Sequence, residues 1–227
     1  MKILALEFSS PQRSVAIVQS APGHSPHAVP TVSETIEAGG RATKALGMIE
    51  QALRAAQLER EQIDCVAVGL GPGSYNGIRA AIAFAQGWQL ARNVQLLGIS
   101  SVECIAKHAQ QDGLTGPIHI IIDAQRNEFY LGYYDLAKES CTALQPLRLV
   151  TITDLQQIQP VAQSFIGPEV TRWFPGGRIV FPRAAVLGQL ALRRNEFVPG
   201  ERLQPIYLRE TTFVKAPPPR IVPGAPP

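Results

Sequence analysis

The sequence predicts a two-lobed α/β fold, compact, with mixed sheets flanked by helices, and three observations carry that prediction. The apolar run Cys65-Val66-Ala67-Val68-Gly69-Leu70 leads into Gly71-Pro72-Gly73-Ser74-Tyr75-Asn76-Gly77 and then Ile78-Arg79-Ala80-Ala81-Ile82-Ala83-Phe84-Ala85, which is the order strand, glycine-rich loop, helix. Three strand-like segments and one helical segment precede that unit. The strand pattern then begins again after residue 117. A chain of 227 residues with 45% hydrophobic content can bury a core in one large domain or two small ones.

Ile3 to Phe8 and Val15 to Gln19 read as strands joined by the turn Ser9-Ser10-Pro11-Gln12-Arg13. Ala21 to Pro30, with three prolines and a glycine, reads as a surface loop, and Thr31 to Glu37 as a third strand. A helix is expected from Arg41 to Gln57, with Leu46, Ile49 and Leu53 at helical spacing. In the next helix, Ile78 to Ala91, ten of fourteen residues are apolar and many are alanine. Such a helix must be covered on more than one side, by its own sheet and by a partner for which Phe84 and Trp88 would be aromatic anchors. Gln95 to Ile99 is a strand, and Ser100-Ser101-Val102-Glu103 reads as a capping box for a helix to Gln111.

The second half opens with strands at Ile118 to Asp123 and Phe129 to Tyr134, then Leu147 to Ile152. Thr153-Asp154-Leu155-Gln156 starts a short helix with a box-like cap. Ser164 to Gly167 and Arg178 to Phe181 are short strands, and a helix runs from Pro182 to about Arg194. Three strands, helix, strand and glycine loop is the order of an actin-like ATPase lobe, so the division expected is a first lobe over 1–100 and a second over 101–215. Residues 216–227 hold six prolines and form an expected disordered tail, dispensable for folding and assembly.

The glycine loop permits sharp turns and close approach, and the helix amides behind it suit an anion. Its glycines are spaced G-x-G-x-x-x-G, one residue off the dinucleotide fingerprint, and no Gly-Lys-Ser/Thr follows. Two readings stand: a tight structural turn, or a vestigial phosphate loop built from Gly71, Gly73, Ser74, Gly77 and Arg79 with Glu7. In actin-like kinases an acidic residue at the position of Glu7 helps hold metal-bound phosphates. The bland reading of Glu7 is hydrogen bonding to loop amides or to Ser9 and Ser10. Asp123 ends the second half's first strand and mirrors Glu7.

Lys+Arg number 21 against 18 Asp+Glu, a net +3 too weak to imply a nucleic-acid surface, although Arg172, Arg178, Arg183, Arg193 and Arg194 could touch RNA. Cys65, Cys104 and Cys141 suit reduced thiols rather than disulfides or zinc. His24 and His27 share a proline-rich loop, and His108 and His119 are isolated, so no metal site is expected. No segment has the length or purity of a signal peptide or membrane span, and the expected location is the cytoplasm.

The loop Gly71-Pro72-Gly73-Ser74-Tyr75-Asn76-Gly77-Ile78-Arg79 resembles the Gly-Pro-Gly-Ser-Phe-Thr-Gly-hydrophobic-Arg signature of the TsaB (YeaZ) family. Ile3 to Ser10 looks like that family's opening strand, with Glu7 where Asp is usual. Asp123-Ala124-Gln125-Arg126-Asn127-Glu128-Phe129-Tyr130 is similar to its Asp-Ala-Arg-Arg-Gly-Glu-Val-Tyr run. Pro205-Ile206-Tyr207-Leu208-Arg209 matches its closing segment. The resemblance covers residues 1 to about 212 and implies a noncatalytic subunit of the machinery that makes threonylcarbamoyladenosine on tRNA.

Such a subunit pairs with a catalytic TsaD-type protein and is joined by a TsaE-type ATPase. It meets tRNA through the complex and leaves ATP and metal to its partners; alone, the chain is expected to form a homodimer, because an exposed apolar partner surface is costly. The resemblance places the partner interface on two helices, at Leu46, Ile49, Leu53, Ile78, Ile82, Phe84, Ala85 and Trp88. It also implies a turn-stabilising role for Asp123. TsaD proteins carry a His-x-x-x-His metal pair where this chain has Gly40-Arg41-Ala42-Thr43-Lys44-Ala45-Leu46. The competing readings are a small actin-like kinase or ATPase and, last, a metallopeptidase.

Overall fold

The computed structural model describes residues 1–21, 29–39, 44–158 and 165–209. His24, His27, the first residues of the helix expected from Arg41, and the proline-rich tail lie outside the described residues. The first sheet holds β1 (Lys2–Glu7), β2 (Gln12–Gln19), β3 (Thr31–Ala38), β4 (Cys65–Gly69) and β5 (Gln95–Ile99), in the order β3-β2-β1-β4-β5. β1, β2 and β3 form an antiparallel meander, and β4 and β5 add parallel to β1. The second sheet repeats this plan with β6 (Gly116–Asp123), β7 (Glu128–Leu136), β8 (Cys141–Thr151), β9 (Phe165–Gly167) and β10 (Arg178–Ile179), ordered β10-β9-β6-β7-β8.

The helices repeat it too. In the first half α1 (Ala45–Ala55), α2 (Tyr75–Arg92) and α3 (Ser101–Gln111) follow β3, β4 and β5. In the second, α4 (Ile152–Gln157) follows β8, one 3-10 turn (Val170–Arg172) follows β9, and α5 (Ala184–Ala191) follows β10. The expected two-lobed actin-like architecture is therefore present, with the second copy of α2 shrunk to a single turn. No repeat is visible at the sequence level; the repeat is one of topology.

Leu4, Leu6, Val15 and Ile17 alternate along β1 and β2 and meet the buried faces of α1 and α2. Ile3, Ala5, Ala16 and Val18 point to the other face of the sheet and meet α5. α3 packs instead on the second sheet, through Val102, Ile105, Ala106 and Ala109. Each lobe thus gives its last helix to the other or to the seam between them. A boundary at residue 100 separates the two sheets and leaves α3 with the sheet it packs on, but it divides the core of the first sheet, which α5 completes.

The docking of α5 explains its start. The Ala184 amide donates to Ser14 Oγ at 2.8 Å and the Ala185 amide to Glu34 Oε1 at 3.0 Å, so β2 and β3 supply the acceptors that an N-terminal helix turn needs. Arg183 pairs with Glu34 beside them. Pro182 consequently lies outside the helix it was expected to open. Two other caps differ from expectation. Ser100 Oγ accepts from the Val102 amide, but Glu103 is taken by Arg194 and closes no box. The cap of α4 is Thr151 with Asp154, not Thr153.

Candidate functional site

The four segments that carry the family resemblance meet at one cleft of about 1000 Å³ between the lobes. Ser9, Ser10 and Arg13 line it from the β1–β2 turn, Gly73, Ser74 and Tyr75 from the glycine loop, Asp123 to Arg126 from the β6–β7 turn, and Tyr207 and Arg209 from the closing segment.

The glycine loop is packed against its own chain. The Ser74 amide donates to the Ser9 carbonyl at 2.7 Å, and the Gly71 amide to Ser101 Oγ at 3.1 Å. The Gly77 amide donates to Ser74 Oγ at 3.4 Å. A Cβ on Gly73 would stand 2.1 Å from the Ser9 carbonyl oxygen, and one on Gly77 would stand 2.0 Å from that of Phe8. Both glycines are therefore required by the close passage of the β1–β2 turn, which takes the space and one of the amides that a phosphate would need. Three of the amides expected to cradle an anion are already satisfied.

Glu7 is fully buried beneath this loop and does not line the cleft. Its carboxylate accepts from the Ser9 amide at 2.8 Å and from Ser101 Oγ at 2.8 Å. Ser101 in turn receives the Gly71 amide. One carboxylate thus ties the end of β1, the glycine loop and the start of α3. Burial pushes its pKa up, against the opposing pull of the hydrogen bonds from Ser9 and Ser101. These bonds are of the kind the structural reading of Glu7 describes, and they turn the carboxylate to the loop and α3 rather than to the cleft. Arg79 also points elsewhere: it is exposed, hydrogen-bonds Tyr75 Oη and lies over the Tyr75 ring, 5.1 Å from its centroid.

Asp123 holds the β6–β7 turn, accepting from the Gln125 amide at 2.7 Å and from Gln125 Nε2 at 3.3 Å. Gln125, Arg126 and Asn127 all have positive φ, at 66°, 59° and 60°. Sequence reasoning reached the acid here but not the other end of the device. Arg209 donates to the carbonyls of Ala124 and Gln125, at 2.9 and 3.2 Å, and pairs with Glu128. The signal was present in Asp123 to Tyr130 and Pro205 to Arg209 as separate segments, but nothing in a sequence says that they touch.

The residues expected at a partner interface divide into two groups. Ile49, Leu53, Ile78, Ile82 and Ala85 are buried in the first lobe's own core, because they form the face of α1 that lies on β2 and β3 and the face of α2 that lies on β4 and β1. Their side chains face that core rather than the outer surface. Phe84 and Trp88 are half-buried against that core, while Leu46 is 62% exposed. A stripe missed from sequence runs along the outer side of α2 through Tyr75, Arg79, Ala83, Gly87 and Leu90, the last 90% exposed. One flank of α2 is covered from within: Gln86 and Gln89 exchange hydrogen bonds with Gly200.

Among the described residues no three His, Cys, Asp or Glu side chains come together as a metal site. His108 Nδ1 lies 2.7 Å from the Phe181 carbonyl, and His119 stacks on Tyr133. Burial pushes the thiols of Cys65 and Cys141 up to about 12 and about 11, and raises that of Cys104 further from reactivity. Arg172, Arg178, Arg183 and Arg194 each face a carboxylate and form no free basic patch. No described helix is long and apolar enough to cross a membrane.

The family model described as TsaD: tRNA N6-adenosine threonylcarbamoyltransferase matches residues 40–197. The Escherichia coli tRNA threonylcarbamoyladenosine biosynthesis protein TsaB is 23% identical over 95% of this chain and 97% of its own. An uncharacterized protein of Mycobacterium bovis is 28% identical over 58% of each chain, so that match spans less than two thirds of the relative's length. The structure of YeaZ from Pseudomonas aeruginosa superposes with a TM-score of 0.76 at 23% identity, over 91% of this chain and 99% of that one, a likeness of fold. With well over half of its length matched by the family model, the chain belongs to the TsaD threonylcarbamoyltransferase family, in its TsaB (YeaZ) branch.

Proposed function

We propose that this chain takes part in tRNA threonylcarbamoyladenosine biosynthesis as a noncatalytic subunit that docks a TsaD-type catalytic protein through the outer sides of α1 and α2. The observation that carries this reading is the closed state of the glycine loop. Its amides at Gly71, Ser74 and Gly77 are bonded within the chain, and Glu7 is sealed beneath it. A nucleotide-processing lobe needs those groups free to meet phosphate. The names of the TsaB relatives supply the pathway.

Shape supports the docking half of the reading. Gly47, in the first turn of α1, and Gly87, in the interior of α2, have nothing within 4 Å of an added Cβ, so nothing among the described residues requires them. Gly87 weakens its helix by about 1 kcal/mol relative to alanine. Beside Ala83 and the exposed Leu46 and Leu90 the two glycines leave a low, apolar surface that lets another helix approach closely. ATP and metal are then used by the partners, a TsaE-type ATPase joins the assembly, tRNA is met through the complex, and the free chain pairs with itself over the same face. The complex works in the cytoplasm.

The test is reconstitution with TsaD-type and TsaE-type subunits and a threonylcarbamoyl-adenylate supply. The chain alone hydrolyses no ATP and modifies no tRNA, and the complete set does. Leu46→Glu with Leu90→Glu lowers partner affinity more than tenfold while the fold is kept. Turnover by the pure chain, abolished by Glu7→Ala or Asp123→Ala, would establish the kinase reading instead.

A further inference from the structure

Pro205-Ile206-Tyr207-Leu208-Arg209 has no part in the docking surface as proposed, yet at the cleft mouth it makes contacts with both lobes. On the first lobe, Leu203 is buried in the core and the Ile206 amide donates to the Leu70 carbonyl at 2.9 Å. The Tyr207 ring stacks on that of Tyr75, with centroids 5.4 Å apart and planes at 24°. On the second lobe, the Leu208 backbone lies beside the Tyr130 phenol and works against the rise that burial gives its pKa. Arg209 then grips Ala124, Gln125 and Glu128.

We propose that residues 203–209 are a strap that couples the outer face of α2 to the geometry of the cleft. Tyr75 begins α2, is 51% exposed and carries Arg79 on its ring, so it is the point where the outer stripe touches the strap. At the far end the strap closes a turn of three consecutive non-glycine residues at positive φ, a conformation that persists only where its surroundings impose it. Arg209 supplies that imposition by binding two of the turn's carbonyls. A partner seated on Tyr75 and Arg79 fixes the Tyr207 ring, holds the strap taut and locks the turn. Release of Tyr75 slackens the strap and frees the turn and the cleft mouth. The partner arm of this inference rests on the docking surface proposed above; the coupling within the chain does not.

Hydrogen exchange followed by mass spectrometry on the full chain tests it, read at residues 124–130, where the Ala124 amide is bonded to the Glu128 carbonyl and the Glu128 amide to that of Gln125. In the free chain, Arg209→Ala is expected to speed exchange there at least tenfold, with Arg209→Lys intermediate. Tyr75→Ala and Tyr207→Ala, neither of which alters a residue of the turn, are expected to speed it at least threefold. If both tyrosine variants stay folded and leave the turn at the wild-type rate, the coupling is refuted and Arg209 is a local brace. With saturating TsaD-type subunit, wild type gains protection on α2 and on the turn, whereas Tyr207→Ala gains it on α2 alone. Protection of α2 without any effect on the wild-type turn also refutes the strap. Absence of protection on α2 refutes the docking surface, and the free-chain comparison then decides the strap by itself.

Discussion

Glu7 sets the chemistry of the loop through a single buried carboxylate, and its neighbours show how little freedom it has. A Cβ on Gly69 would stand 2.0 Å from Glu7 Oε2, so the strand beside it must carry glycine. Because burial raises the folded-state pKa of Glu7, the folded chain holds that proton more tightly than the unfolded one. This stabilising contribution is complete below the unfolded value near 4.5 and is lost as pH rises through the folded pKa. Melting temperatures of wild type and Glu7→Gln, compared from about pH 4.5 to about pH 8, should show wild type losing ground to the variant as pH rises. A constant difference would mean that the carboxylate is not desolvated. Gly77→Ala tests the other half of the loop. Its Cβ would collide with backbone rather than with a side chain that can swing aside, so a loss of about 3 kcal/mol in urea unfolding is expected. A loss below about 1 kcal/mol would show that the β1–β2 turn yields.

At the scale of elements, α2 shows both what the sequence made legible and what it hid. Its length, its alanine content and the need for cover on more than one side were readable, because burial leaves a periodic trace. Which cover goes where was not. Helical period separates an apolar face from a polar one, but in a helix apolar nearly all round it cannot tell the sheet side from the partner side. Ile78, Ile82 and Ala85 therefore looked like interface and are core, while Ala83 and Gly87 carried no signal and are exposed. β8 was half missed for a related reason: much of it is exposed, so its eleven residues show little alternation, and Pro146 interrupts them. Gly87→Ala turns the point into a measurement. With open space around it and ordinary helical backbone, alanine should stabilise the free chain by about 0.5–1 kcal/mol. Gly87→Gln, also tolerated by the free fold, should weaken TsaD-type binding by more than about tenfold, or roughly 1.4 kcal/mol. Unchanged affinity for the glutamine variant would move the docking face away from this stripe.

For the whole molecule, the exchange of α3 and α5 decides how the chain unfolds. The first sheet has one face under α1 and α2 and the other under α5, which comes from 80 residues and more beyond β5. Without α5 that sheet would expose Ile3, Ala5, Ala16 and Val18, and α5 itself would leave Val186 and Leu187 unburied. Each large aliphatic side chain so exposed costs about 1.5–3 kcal/mol, against a total stability for such a chain of about 5–15 kcal/mol. The first lobe cannot then persist while the second is unfolded, and the two should melt as one cooperative unit. The chain's two tryptophans report on this separately. Trp88 packs against the core of the first lobe, and Trp173 packs edge-on to Phe129 in the second, with centroids 4.9 Å apart. Urea unfolding of Trp88→Phe, followed by Trp173 fluorescence, should match that variant's unfolding by far-ultraviolet circular dichroism. The reciprocal comparison should agree for Trp173→Phe, followed by Trp88. If the fluorescence of either tryptophan changes at a lower urea concentration than the dichroism of the same variant, one lobe outlives the other. The exchanged helices would then be a surface contact rather than a shared core.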